Sequence, residues 1–187
     1  MSELSTKEKL MIEGMEELRL YGINGFSLRR VAKNCGISCA APYKHFENKQ
    51  EFLAATAQYI HEKWEERVRD NMSLVKPVEM LIADLAADSV DFLTSNPNYR
   101  TVLLVNDSNG QNVAKSITMC TAIKRLYVIY RRKYNISRDQ LRSLIFSVNS
   151  LIYGATLIID VEGTGKEDGL EVVRRGVLFA LKNETNS

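Results

Sequence analysis

The chain holds only three prolines, three cysteines and two histidines in 187 residues. Scarce proline leaves room for long helices. Cys35, Cys39 and Cys120 are odd in number and lack metal-like spacing, which argues against a disulfide framework and suits a reducing compartment. No run approaches 18 apolar residues, and the first ten residues, MSELSTKEKL, are charged rather than signal-like. The expectation is a cytoplasmic protein with no membrane partner. A Gly-rich phosphate loop, a metal-spaced His/Cys/Asp set and a nucleophile motif are all missing, and the pair Glu65–Glu66 falls in a charged helix surface. Neither an enzyme nor a cofactor or metal is expected. What is present is a 45% hydrophobic content, ample for one sizeable unit or a small module plus a larger domain.

Nearly every segment reads as helix, so the fold class is all-α. Ser5 and Glu8 form a capping box for a first helix with Leu10, Ile12, Met15, Leu18 and Leu20 as its apolar set, stopped by Gly22. A long helix over 48–71 begins apolar and ends charged, with Met72 to Pro77 as the best boundary candidate. A helix over 77–94 follows, with Met80, Leu81, Leu85, Val90, Phe92 and Leu93 as core candidates. Ser95-Asn96-Pro97 ends it. A short helix over 98–105, a loop over 106–110 and a helix over 112–134 complete this stretch. Ser137 and Gln140 make another capping box, and apolar residues from Leu141 to Ile159 step three or four apart along one stripe. Gly163-Thr164-Gly165 breaks that helix, and Leu170, Val173, Val177 and Leu181 resume a stripe to the end.

The most informative segment is Ser27 to Lys49, SLRRVAKNCGISCAAPYKHFENK. Ser27 caps a short helix whose apolar positions are Leu28, Val31 and Ala32, and Gly36 ends it in the left-handed conformation. Ile37 plugs the turn. A second helix of one to two turns then opens at Ser38 or Cys39 and closes near Phe46, with Pro42 in its first turn. Two short helices joined by a glycine turn are the helix-turn-helix, whose second helix enters the major groove of DNA. Five Lys/Arg (Arg29, Arg30, Lys33, Lys44, Lys49) against one acid (Glu47) give the segment +4, in a chain whose total is +2. Cations and helix amides converging on one place make a phosphate clamp.

Gly22, Gly25, Phe26, Ser27, Arg29, Val31, Ala32, Gly36, Ile37, Ser38, Pro42, Tyr43, His45, Phe46, Asn48, Lys49 and Phe52 together resemble the TetR family of bacterial transcription regulators. The strong resemblance covers residues 8 to 55. It implies a helix-turn-helix domain over 1–50 and a helical ligand-binding and dimerisation domain over 51–187, connected by the helix at 48–71. It further implies that Tyr43, His45 and Lys49 contact phosphates, with Ser27 supplying a hydroxyl or cap amides. Arg29 then reaches a guanine edge, and Ser38, Cys39, Ala40, Ala41 and Lys44 form the base-facing front. Cys39, Ala40 and Ala41 are poor in polar groups, so specificity leans on Arg29, Lys44 and DNA shape.

The resemblance also implies a homodimer, which lets two modules occupy successive major grooves of a pseudo-palindromic operator. Helices apolar on more than one face must bury against more than one neighbour, and Phe146, Leu157, Val172 and Phe179 fall outside the main stripes. The expected interface comprises Leu151, Gly154, Ala155, Ile158, Val173, Gly176, Val177 and Ala180. Periodicity alone does not separate that interface from the interior of a monomer. An unidentified small-molecule effector is the second implied partner, with Phe92, Tyr99, Met119, Tyr127, Phe146, Asn149 and Tyr153 as pocket candidates. The expected function is a ligand-responsive regulator of double-stranded DNA, a repressor released by its effector. The alternatives are an activator of the same fold and a helical interaction protein that no longer binds DNA.

Overall fold

Helices supply every regular element among the residues that the computed structural model describes, which are 4–71, 75–103, 120–159 and 165–185. They are α1 (Thr6–Gly25), α2 (Leu28–Asn34), a single 3-10 turn (Pro42–Lys44), α3 (Lys49–Asn71), α4 (Val78–Ser95), α5 (Pro97–Leu103), α6 (Thr121–Tyr134), α7 (Arg138–Ile158) and α8 (Lys166–Thr185). The all-α expectation holds. The expected loop at 106–110, Met119, and the first part of the helix expected over 112–134 lie outside the described residues.

Both expected capping boxes form: Ser5 with Glu8 at α1, and Ser137 with Gln140 at α7. Gly22 interrupts α1 at φ 64 and ψ 179, a backbone state that a side chain would oppose. The start of α6 departs from expectation. Cys120 is extended (φ −61, ψ 164) and caps α6 instead of lying inside a helix over 112–134. The partner is distant in sequence: the Thr121 amide donates 2.9 Å to the Glu65 carboxylate, so the first turn of α6 is satisfied by a side chain.

The chain forms two compact units that divide within α3. Of the described residues, 4–63 and 96–103 make the first, and 64–95, 120–159 and 165–185 make the second. In the first unit, Leu10, Met15, Leu18, Val31, Phe46 and Phe52 are essentially inaccessible. Each such side chain contributes about 1.5–3 kcal/mol by leaving water. Ile12 and Leu20, expected in this core, are 36% and 57% exposed, because they fall on the opposite arc of α1. The Phe52 ring lies 4.9 Å from Phe26 and 5.1 Å, edge-on, from Phe46. Gly14 admits that ring: a Cβ there would fall 2.1 Å from Phe52 Cζ.

In the second unit α4 packs against α6, α7 and α8 and buries most of its surface, although Met80 is 41% exposed. Leu170, Val173, Val177 and Leu181 form the buried stripe of α8, and Tyr130 donates 2.6 Å to the Leu181 carbonyl. Ionic side chains lace the helices together. Arg67 Nη2 reaches Asp88 at 3.0 Å and Asp91 at 2.5 Å, and Lys166 pairs with Asp91 and with Ser95 Oγ at 2.7 Å. Burial opposes ionisation of Asp91, but hydrogen bonds from Lys166 and Arg67 hold its carboxyl below the usual range. By length and composition alone α7 is apolar enough to cross a membrane, a match that core helices also meet.

Two measurements test this packing. Gly14→Ala forces the Phe52 ring to move and is expected to cost about 1–3 kcal/mol in chemical denaturation followed by circular dichroism; a destabilisation under about 0.5 kcal/mol would contradict the close approach. Because the folded-state pKa of Asp91 is depressed, its contribution is present above the unfolded value (about 3.9) and disappears as pH falls through the folded one. Asp91→Asn is therefore expected to melt below wild type at neutral pH and to converge with it in acid. A gap that stays constant with pH would reject the ionic role.

Candidate nucleic-acid interface

Ser27 sits extended (φ −140, ψ 112) and its hydroxyl accepts from the Arg30 amide at 3.4 Å, which starts α2. Leu28, Val31 and Ala32 are buried, and Arg29, Arg30, Lys33 and Asn34 face water. The helix ends as its glycine demands. Gly36 has φ +70, its amide bonds to the Lys33 carbonyl, and the Ile37 amide reaches back to the Ala32 carbonyl, each at 3.0 Å. That pair of bonds is the Schellman stop.

The next element departs from expectation. Between Ser38 and Phe46 the chain makes tight turns and one 3-10 turn at Pro42–Lys44, not a one- to two-turn α-helix. Pro42 has no N–H to return to the Ser38 carbonyl, and its ring crowds that carbonyl. The Ser38 oxygen instead takes the Ala41 amide at 2.9 Å, and His45 and Phe46 both donate 2.9 Å to Pro42. Pro42 and Phe46 are buried, which turns Ser38, Cys39, Ala40, Tyr43 and Lys44 outward. Ala41 and His45 are half-buried, with the His45 ring 6.2 Å from Phe46. Asn48 caps α3 through the Glu51 amide at 3.0 Å, while the Glu51 carboxylate accepts from the Glu47 amide at 2.5 Å.

The cations of the segment divide into two kinds. Arg30 is committed to its own chain: Nε donates 2.7 Å to Glu17, Nη2 bonds the Gly25 carbonyl, and the guanidinium lies 4.4 Å over the Tyr21 ring. Lys49 is partly committed, with its ammonium on the Ile23 carbonyl and 5.6 Å from the Phe26 ring. One of its three N–H bonds is thereby used, and it is half-buried. Arg29, Lys33 and Lys44 are exposed and have no hydrogen-bond or ion-pair partner among the described residues. An exposed surface with three unpaired cations, a phenol (Tyr43) and a free thiol (Cys39) can neutralise phosphates and reach base edges.

Sequence reasoning missed Glu17, which is 1% exposed and is the buried counter-charge of Arg30. Its signal was its position: an acid seven residues after Leu10 and three after Gly14, on the face of α1 that enters the core.

The other candidates separate. Phe92 is buried 5.3 Å from Trp64, and Tyr127 is buried beside a crevice of about 10 Å³, room for one water. Tyr99 belongs to the first unit, where burial and Tyr59 push its hydroxyl up to about 12. Phe146 is 75% exposed and lines no interior pocket, because its helix turns only the opposite side, Leu144, Val148 and Ile152, inward. Asn149 Oδ1 is buried without a partner among the described residues, and Tyr153 is half-buried. Of the expected interface, Val177 is fully buried and Val173 is 2% exposed, so both serve the core of their own chain. Gly176 accepts Leu151 closely, at 3.3 Å from a built Cβ. Leu151, Gly154, Ala155 and Ile158 line an open apolar groove of about 410 Å³ between α7 and α8, and Ala180 is half-exposed.

Residues 10–56 match the family described as bacterial regulatory proteins, tetR family. The chain is 32% identical over 89 residues to the HTH-type transcriptional regulator CymR of Pseudomonas putida, a match covering 48% of this chain and 44% of that protein. The aligned part thus spans less than half the length of that relative. A provisionally named fatty acid metabolism regulator of Clostridium perfringens shares the fold, with TM-score 0.74 and 16% identity, over 92% of this chain and 98% of that one. A variant of TetR from Acinetobacter baumannii, solved in complex with minocycline, does so with TM-score 0.60 and 15% identity, over 97% and 96%. Residues 10–56 thus carry the amino-terminal segment of the tetR family of bacterial regulatory proteins, and the chain as a whole shares the all-helical fold of those two solved structures.

Proposed function

We propose that the chain is a cytoplasmic, ligand-responsive repressor that binds a pseudo-palindromic operator as a homodimer and carries no enzymatic activity. One observation carries this reading: Arg29, Lys33 and Lys44 stand exposed and unpaired around the 27–46 turn, while Arg30 is neutralised internally. Cations concentrated on one exposed turn suit a polyanion, whose phosphates supply the opposite charge. Within it Arg29 reads a base edge, and Ser38, Cys39, Ala40, Ala41 and Lys44 face the groove. Ser27, Tyr43, His45 and the free N–H groups of Lys49 hold phosphates. The functional division is a DNA-binding part over 1–50 and a ligand and dimer part over 51–187.

Dimerisation is supported by the outward face of α7 and α8. Phe146, Leu157, Val172 and Phe179 are 75%, 60%, 55% and 67% exposed, an apolar patch of the kind that marks a protein–protein contact. The small-molecule effector acts by favouring a dimer whose modules are wrongly spaced for DNA. To swing the population from 1:99 to 99:1 it must prefer that state by about 5.5 kcal/mol. α3, which runs through both units, is the mechanical link.

The experiment is selection of bound fragments from a random duplex pool. A pair of inverted half-sites is expected; a single site or no enrichment would reject the dimeric operator reading. Lys49→Ala is then expected to weaken all sequences alike. The slope of log affinity against log salt should become shallower by about 0.9 for each phosphate no longer neutralised. Arg29→Ala is expected to relax one base pair by about 1–3 kcal/mol. Uniform weakening by both substitutions would overturn the base-reading role of Arg29.

A further inference from the structure

We infer that Glu17 is a positioning residue for the duplex-facing helix α2, acting through a closed ring of contacts with Arg30, Gly25 and Ser27. The inference rests on the reading of residues 27–49 as a duplex-binding surface. Four observations carry it. The Glu17 carboxylate is 1% exposed, so its charge is held away from water. One oxygen, Oε1, accepts the Ser27 amide at 3.2 Å, Arg30 Nε at 2.7 Å and Arg30 Nη2 at 2.5 Å. The same guanidinium bonds the Gly25 carbonyl and covers the Tyr21 ring at 4.4 Å. Ser27 closes the ring by accepting the Arg30 amide.

The ring matters because of what it spans. α2 has seven residues, too few to be stable by itself, so its direction comes from its attachments. α1 kinks at Gly22, φ +64, and after its end only Phe26 and Ser27 lead into α2, so the direction of α2 is not set by a continuous helix. Glu17 sits before that kink and holds Ser27, which caps α2. Arg29 lies between the two residues that Glu17 holds, Ser27 and Arg30. Contacts to phosphate and to a base edge tolerate little displacement, so freeing the ring disperses Ser27 and Arg29 together before it unfolds anything. The pair also explains why two adjacent arginines differ: Arg30 sets the frame and Arg29 is presented by it. Arg30 remains 46% exposed, so only the carboxylate half of the pair is buried, and an apolar pair would fill the space without fixing the direction.

The test compares the full chain with Glu17→Gln and Arg30→Lys by amide hydrogen exchange and by binding to a random-sequence duplex pool at low salt. Exchange at residues 26–31 is expected to quicken at least about tenfold in both variants, with α4 and α8 unchanged and the melting midpoint held. Affinity for the pool is expected to fall about three- to tenfold. A purely structural role would instead speed exchange through α1 and α3 and lower the melting midpoint, which overturns the inference. Unchanged exchange at 26–31 overturns it, and so does faster exchange with undiminished affinity. Should Glu17→Gln fail to fold, Arg30→Lys carries the same comparison, since it keeps the charge and removes only the fork. Failure of the wild-type chain to bind the pool rejects the duplex reading itself, while the exchange data still judge the ring.

Discussion

Burial of one side of the segment from Ser27 to Lys49 is the constraint on which the rest depends. Leu28, Val31, Ala32, Pro42 and Phe46 are taken into the core of the first unit, where Phe52 packs against Phe26 and Phe46. A chain this short cannot bury one side without committing the other to water. Arg29, Lys33, Tyr43 and Lys44 are therefore held outward by apolar packing, not by interactions of their own. The electrostatic character of the surface is a consequence of hydrophobic burial beneath it.

Much of this was legible in the residues. Caps and stops carry local chemistry, so Ser5 with Glu8, Ser27, Gly36 and Ser137 with Gln140 marked helix ends correctly. The stripe of α8 was equally plain, because one face of that helix meets a single buried surface. What failed did so where a local rule met a competing one. Pro42 suggested the first turn of an α-helix, yet its missing amide diverted the segment into 3-10 geometry. Cys120 looked like mid-helix until Glu65, fifty-five positions earlier, supplied a cap that no local pattern contains. Five cations in a row of twenty-three residues read as equivalent, although Glu17 pairs with one of them. Long-range partners of charged side chains are the least legible feature of any sequence, since their spacing obeys no helical period.

The second unit follows the same rule with the opposite outcome. α4 is covered by three helices and exposes little, whereas α7 and α8 keep an apolar face with Phe146 and Phe179 in water. Their inward stripes satisfy one neighbour, and the remaining apolar surface suits a partner of like chemistry. Val173 and Val177 were drawn into the inner stripe because they share a face with Leu170 and Leu181. The small residues Gly154 and Ala155 leave the groove between α7 and α8 open.

The central claim is that the outward side of residues 27–49 is the surface that holds duplex DNA. Backbone amide shift mapping of the full chain, titrated with a short duplex, tests it most directly. Large shifts are expected to gather at Ser27, Arg29, Ser38 to Lys44 and Lys49, while α7 and α8 stay still. Shifts centred instead on the second unit, with that turn unmoved, would contradict the claim.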